Sequence, residues 1–395
     1  MVAKRLALIG ESETLAISAK AKAMKAAGIA VVDFSLGEPD LPTPDPIKAA
    51  GKRAIEENFT RYTQAPGIPE LKQAIVDKLA RDNGVVYQTD EVIVSAGAKH
   101  SLFNACMALV DPGDEVIVPA PYWLSYPALV HLVGGVPRIV QTAEADDFLL
   151  TPAALEAAIG PATRALLLNN PSNPTGMAYS RERLAALAEI AVARGLWIIA
   201  DEIYEKMLYD AAFVCTAALG EAVRQRTLTV NGVSKSYCMT GWRIGYTAGP
   251  RDVIAAMTKV QSQTTSSICS IAQKAAVEAL AGDQGAVARM VEVFRERRDR
   301  VVARLQAMPG VRCRKPAGAF YVFPNVTAFY ERLPAAAEKT HPSVRLADYL
   351  LEEAHAAVVP GIAFGAGDHI RLSYATGLEE LDRGLHRIDK ALARL

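Results

Sequence analysis

Lys235 and Arg243 stand eight positions apart in the run LTVNGVSKSYCMTGWRIGY, residues 228–246. Residues 228–230, with Leu228 and Val230 apolar, read as a strand running into a tight turn at Asn231-Gly232. A second short apolar run resumes at Ile244. Most lysines in such turns are solvated surface residues, but one held there can be partly desolvated, which lowers its pKa and makes it a usable amine nucleophile. An arginine nearby can fork onto a phosphate. Lysine plus a phosphate-binding arginine is what an enzyme needs to hold pyridoxal phosphate as a Schiff base.

Other polar residues sit where strands end. Residues 196–200 are all apolar, as a strand buried on both faces requires, and Asp201 follows at once. A carboxylate at the carboxyl end of such a strand lies where open α/β sheets place ligands, and it can keep a pyridine nitrogen protonated; capping a helix is the competing use. Residues 92–95 read as a strand and Ala96-Gly97-Ala98-Lys99 as a turn opening a helix, whose free N–H groups and dipole favour a phosphate. Trp123 follows the strand at 115–118. Asn170-Pro171-Ser172-Asn173-Pro174-Thr175-Gly176 follows the strand at 165–169 as a rigid polar loop. Gly37 lies in a Gly-Glu-Pro turn where backbone can approach a ligand. Residues 369–374 alternate with period two. Ile370, Leu372 and Tyr374 share one face, and Arg371 points to the other, away from the apolar layer.

These residues need a scaffold, and strands alternate with helices over about 46–290. Helices are expected at 13–27, 44–57, 69–83, from the turn at 96–99 to about 110, at 181–194 (capped by Ser180), 251–262, 270–281 and 287–308. The acidic and basic residues from Arg295 to Arg300 are expected on a solvated face. Beyond Pro309 the pattern shifts to short strands at 318–323 and 357–359 and helices at 344–355 and 379–395, with the most loop-like insertion at 334–343. The fold class is α/β: a mostly parallel sheet flanked by helices, in a large domain at 46–290. A smaller α+β domain is expected from 1–45 and 291–395.

Composition narrows the function. The chain has 395 residues, enough for two domains of about 150 residues each. Lys plus Arg and Asp plus Glu both number 43, so the basic excess that nucleic acid or membrane surfaces favour is missing. The five cysteines are scattered without CxxC spacing, which predicts reduced thiols in a cytoplasmic protein, with neither a disulfide framework nor a metal site. Glu11 and Glu13 interrupt any leader, and no apolar run is long enough to span a bilayer.

Ser-Lys-Ser-x-x-Met-Thr-Gly-Trp-Arg-Ile-Gly-Tyr, Asn-Pro-Thr-Gly at 173–176 and Arg-Leu-Ser-Tyr at 371–374 resemble the motifs of class I aminotransferases, in particular subgroup I-beta, the bacterial aspartate aminotransferases. The resemblance covers nearly the whole chain. It implies fold type I of the pyridoxal 5'-phosphate enzymes and a homodimer with shared sites. Lys235 would hold the cofactor and act as the base, and Asp201 would pair with its ring nitrogen. Trp123 would stack on the ring, and Asn173 and Tyr204 would reach its 3-oxygen. Gly97, Ala98, Lys99, Ser234 and Arg243 would hold the phosphate, with Tyr62 arriving from the other subunit. Arg371 and Gly37 would take the substrate α-carboxylate, aided by Asn173 and Trp123, and Lys99 the distal carboxylate of a dicarboxylate. The implied reaction moves an amino group from aspartate to 2-oxoglutarate.

Prephenate or a broader range of substrates stays open, because Thr14 with Lys99 matches prephenate-using members; Ser12 and Thr14 begin a helix that can close over the site. A carbon–sulfur lyase on the same scaffold is a rival. So is a cofactor-binding regulator, although such relatives carry an N-terminal DNA-binding domain and none is expected before Gly10.

Overall fold

The computed structural model describes residues 3–10, 13–334 and 340–395. Ser12 and the middle of the insertion at 334–343 lie outside the described residues, and Thr14 falls in the helix Glu13–Ala26.

Strand β1 (Val32–Asp33) precedes the large sheet. Its members are β2 (Val92–Ser95), β3 (Glu115–Ala120), β4 (Val136–Gln141), β5 (Thr163–Asn169), β6 (Trp197–Asp201), β7 (Thr227–Gly232) and β8 (Gly245–Ala248). The spatial order is β2-β8-β7-β6-β5-β3-β4. Neighbours from β7 to β4 pair in parallel, and β8 runs antiparallel to both β7 and β2. The apolar run of β5 shows why these segments are strands. Ala165 and Leu167 pack on one face with Leu102, Ile254 and Met257. Leu166 and Leu168 pack on the other with Leu155, Leu184 and Leu187. Burying each such leucine contributes about 1.5–3 kcal/mol, so a polar residue on either face would be costly.

The order reverses between β3, which connects outward to β4, and β5, which connects the other way to β6. Ligands of open α/β sheets sit outside the carboxyl ends of the strands at such a reversal. Ser95, Ala120, Asn169, Asp201 and Gly232 all end strands at that one rim. The exception to the parallel order has a local cause. Parallel neighbours need a long crossover, usually helical. Between Gly232 and Gly245 the chain carries only the Lys235 turn and a short 3-10 turn, Thr240–Trp242, so β8 returns antiparallel.

The remaining strands are β9 (Tyr321–Val322), β10 (Ala356–Ala357), β11 (Val359–Pro360) and β12 (Ile370–Ser373). β12 lies antiparallel between β11 and β9, and β1 pairs in parallel with β10. Ser373 N–H donates to the Phe34 carbonyl at 2.8 Å, which ties β12 to the segment leading to Gly37. The helix Gly285–Gln306 has 22 residues and spans about 33 Å.

Several details differ from the sequence reading. Asn231 and Gly232 belong to β7, and the turn begins after them. The strand expected at 318–323 is only Tyr321–Val322, because Gly318 N–H is drawn off to the Gly176 carbonyl at 2.8 Å. The run at 357–359 is split between β10 and β11. The helix expected at 69–83 is α-helical to Lys78 and then makes one π-helical turn, Leu79–Asn83. The arginines at 295–300 are not all solvated: Arg297 and Arg298 are buried. Arg297 forks onto Asp40 at 2.6 and 3.0 Å, and Arg298 reaches Asp210 at 2.6 Å. The first of these pairs anchors the loop that carries Gly37.

Candidate active site

A cavity of about 650 Å³ opens at the carboxyl rim of the sheet, and Lys235 and Asp201 both line it. Lys235 reaches it from the turn after β7. Its Nζ donates to the Gly37 carbonyl at 2.5 Å and lies 5.9 Å from the Phe320 ring centre. The side chain meets the cavity, yet the cavity is recessed, so burial pulls the amine down to about 8 from the usual lysine value. Glu38 pulls the other way, and Arg371 and Arg243 add to the lowering. At neutral pH a useful fraction of this amine is therefore unprotonated.

Asp201 ends β6 and is buried. Tyr126 Oη donates to its Oδ2 at 2.8 Å, and the Ile203 N–H to its Oδ1 at 3.3 Å. Burial pushes its carboxyl up to about 6, against the pull of those two donors and of Lys235. A cationic ring nitrogen beside it would stabilise the carboxylate further. The reading of Asp201 as a helix cap does not hold, since a turn and not a helix follows it.

One end of the cavity lies at the start of the helix Ala98–Leu109. Gly97, with φ of 87°, caps the helix Ala98–Leu109, and no side chain caps it. The N–H groups of Ala98 and Lys99 have no acceptor within the helix. Arg243 adopts the left-handed conformation at φ 57° and donates to the Thr240 carbonyl at 2.9 Å and the Ala96 carbonyl at 3.3 Å. A Cβ on Gly97 would collide with its guanidinium, so only glycine lets the arginine close on the helix end. Ser234 lies beside Lys235 on the same lining.

At the other end stands Arg371 on β12. It is buried, contrary to the outward face that the alternation suggested. The reason is that β12 is the middle strand of its sheet and both faces are covered. The guanidinium lies 4.5 Å from the Tyr321 ring centre and 5.0 Å from that of Phe364. Its Nη1 donates to Asn173 Oδ1 at 3.1 Å and its Nη2 to the Ser35 carbonyl at 2.7 Å, while Nε has no partner among the described residues. A buried arginine with a spare donor can take a carboxylate at little further desolvation cost.

Between the two ends, Trp123 lines the cavity with Lys99 Nζ 4.9 Å from its ring centre. Burial and Arg243 lower the Lys99 pKa, although the side chain is largely exposed. Tyr204 is buried, with its hydroxyl 3.0 Å from that of Tyr321. Asn173 is placed by its N–H donating to Asn169 Oδ1 at 2.8 Å.

The structure thus brings Lys235, Asp201, Lys99, Trp123, Asn173, Tyr204, Ser234, Arg243, Arg371, Gly37 and Ala98 to one lining, with Gly97 packed behind Arg243. It does not bring Tyr62 there: that ring is 95% exposed at the surface of the chain. Sequence reasoning passed over Tyr126, Asn169 and Tyr321. Tyr126 follows Trp123 by three residues on the first turn of the helix Ser125–Leu132, a spacing that could have marked it. Tyr321 carries no such signal, since its apolar surroundings read as core.

The donor set fits pyridoxal phosphate. A glycine-lined helix end with an arginine and a serine suits the phosphate, a buried carboxylate suits the pyridinium, and a desolvated amine suits the aldehyde.

The family profile described as Aminotransferase class I and II matches residues 29–388. The chain is 48% identical over 390 residues to the aspartate aminotransferase of Geobacillus stearothermophilus, covering 98% of each. It is also 48% identical to the aspartate/prephenate aminotransferase of Cereibacter sphaeroides over 392 residues, covering 99% of this chain and 98% of that one. The crystal structure of the Rhizobium meliloti aspartate aminotransferase superposes with a TM-score of 0.95 at 47% identity, covering 100% of this chain and 99% of that one. The Thermus thermophilus aspartate aminotransferase with maleate gives 0.93 at 41% identity, covering 99% of each.

Proposed function

The chain belongs to the class I and II aminotransferase family, and from that premise we propose that it transfers the amino group of L-aspartate to 2-oxoglutarate, giving oxaloacetate and L-glutamate. It is a pyridoxal-phosphate-dependent enzyme of fold type I. The observation that carries the proposal is the shared cavity of Lys235 and Asp201, with Arg371 at one end and Lys99 near its mouth.

When bound, the cofactor supplies an aldehyde that condenses with amines and a protonated ring that accepts the electron pair left when the Cα proton departs. Asp201, buried at the end of β6, would hold the proton on the ring nitrogen as its carboxylate partner. Ser234, Arg243 and the free N–H groups of Ala98 and Lys99 would hold the phosphate. Trp123 would lie against the ring, and Asn173 and Tyr204, on the same lining, would serve its 3-oxygen. Arg371 would fix the substrate α-carboxylate with Asn173 and Gly37 beside it, in the cavity that Lys235 also lines. The amine, lowered to about 8, would accept that proton and return it at the cofactor's former aldehyde carbon, across the bridging nitrogen. Such positioned acid–base transfer contributes roughly a hundred- to ten-thousand-fold.

Lys99 favours a second carboxylate on the substrate. The maleate that the Thermus thermophilus relative holds is a four-carbon dicarboxylate, the size of aspartate. A second reading, with prephenate as acceptor, is supported by the name of the Cereibacter sphaeroides relative and by Leu8, Leu124, Pro127 and Ala128 along the cavity, an apolar wall that suits a ring. We further propose a homodimer in which Tyr62 completes the phosphate site of the partner, which accounts for its exposure in a single chain; sedimentation velocity reads this directly. The large domain is taken as 46–290, and 1–45 with 291–395 as the small one. The enzyme is placed in the cytoplasm, in keeping with its five free cysteines; no helix of the described residues is long and apolar enough to cross a membrane.

A panel of amino donors with 2-oxoglutarate tests the assignment. Aspartate is expected among the best donors, and adding prephenate as acceptor separates the second reading. Equal rates for aspartate and leucine would remove the role given to Lys99.

A further inference from the structure

The segment that leaves β6, residues 202–207, is irregular, yet it must hold Tyr204 at a fixed place in the site. Its own backbone supplies two bonds: Glu205 N–H donates to the Glu202 carbonyl at 3.0 Å and Met207 N–H to the Tyr204 carbonyl at 2.8 Å. The two residues after Tyr204 are fixed from outside. Glu205 is buried and ion-paired with Lys78, which is buried as well. Asn83 closes the triangle. Its Nδ2 donates to Glu205 Oε2 at 2.7 Å, and its Oδ1 accepts from Lys78 Nζ at 2.7 Å. Lys206 then pairs with Asp82 at 2.8 Å at the edge of the same group.

All three partners come from the end of one helix. Lys78 closes the α-helical part, and Asp82 and Asn83 sit in the π-helical turn Leu79–Asn83. A π turn widens the helix by one residue and recurs at functional sites. Here it lets two successive side chains, Asp82 and Asn83, meet two successive residues of the segment after Tyr204. Stability gives no reason for the arrangement, because a buried ion pair is on average no more stabilising than well-packed apolar side chains of the same size.

We propose that Lys78, Asn83 and Glu205 form a positioning clamp that holds Tyr204 in hydrogen-bonding place at the cofactor, with Asp82 and Lys206 as its outer edge. The clamp touches neither cofactor nor substrate and acts through the tyrosine alone. The inference rests on the cofactor role given to Tyr204 above.

The test uses the holoenzyme and two readouts, kcat and the pH midpoint of the bound cofactor's visible absorption. A donor to the 3-oxygen steadies its negative charge, so losing that donor raises the midpoint. The triple variant Lys78→Met/Asn83→Leu/Glu205→Met replaces the triangle with apolar groups, leaving no charge stranded. Its expected midpoint is higher, with kcat down roughly ten- to a hundred-fold, the scale on which a small misplacement acts. Its thermal stability is expected to be equal or greater. Tyr204→Phe alone should raise the midpoint too, and adding the triple substitution to it should change nothing more. Asp82→Asn, which leaves the buried triangle intact, should give a smaller shift in the same direction, and it stands as the test if the triple variant does not fold. An unchanged midpoint in a folded clamp variant, or an equal shift in the Tyr204→Phe background, overturns the clamp. No shift in Tyr204→Phe itself would overturn the role of the tyrosine and the clamp with it.

Discussion

Two arginines bracket the cavity, and they are held in opposite ways. Arg243 is exposed, and its partners, the carbonyls of Ala96 and Thr240, lie at the rim of the large sheet. Arg371 is buried between two rings and reaches Asn173 and Ser35, segments that the chain brings together from nearly its whole length. The cradle around Arg243 is backbone on a rigid sheet, which suits an anion that stays. The site around Arg371 is assembled where β12 meets the loop after β5 and the segment after β1, and it engages two of the guanidinium's five N–H groups, which leaves donors for an anion that exchanges.

Of the two arginines, the larger effect on turnover should come from Arg371→Ala. Removing a buried partner of a charge costs about 2–5 kcal/mol, so kcat/KM for aspartate should fall roughly thirty- to several-thousand-fold, with the cofactor retained. Arg371→Lys should recover little, since an ammonium cannot fork onto a carboxylate. Steady-state kinetics beside cofactor titration reads both. Arg243→Ala should act the other way round. Losing charge-assisted bonds at an exposed site costs about 1.5–3 kcal/mol, so the cofactor should dissociate roughly ten- to a hundred-fold more readily. The KM for aspartate should then hold at saturating cofactor. If both variants weakened substrate and cofactor alike, the division between the two ends would be wrong.

The parts of the site that could be read in the sequence were those made by local chain. The apolar run to Asp201, the small-residue turn at 96–99 and the polar loop at 170–176 each announce a strand end, and all three reach one rim. Arg371 was found by motif but misplaced by alternation, because period two tells which residues share a face and not whether that face is covered. Arg297 and Arg298 failed for the same reason: a charge run on a long helix looks solvated until another segment supplies Asp40 and Asp210. Tyr126 and Tyr321 were missed because an aromatic among apolar neighbours looks like core, and only tertiary contact shows what its hydroxyl holds. Strand β4 was passed over because Pro137 and Arg138 break its apolar run and its side chains are largely exposed at the sheet edge.

The account depends most on a desolvated amine at Lys235 taking the cofactor aldehyde while Asp201 serves the ring in the same cavity. Lys235→Ala, purified and incubated with pyridoxal phosphate, addresses it most directly. The visible absorption of the lysine-linked cofactor should vanish and transamination with it, while the fold and the phosphate cradle remain. A variant that kept the absorption band and turned over aspartate would contradict the account.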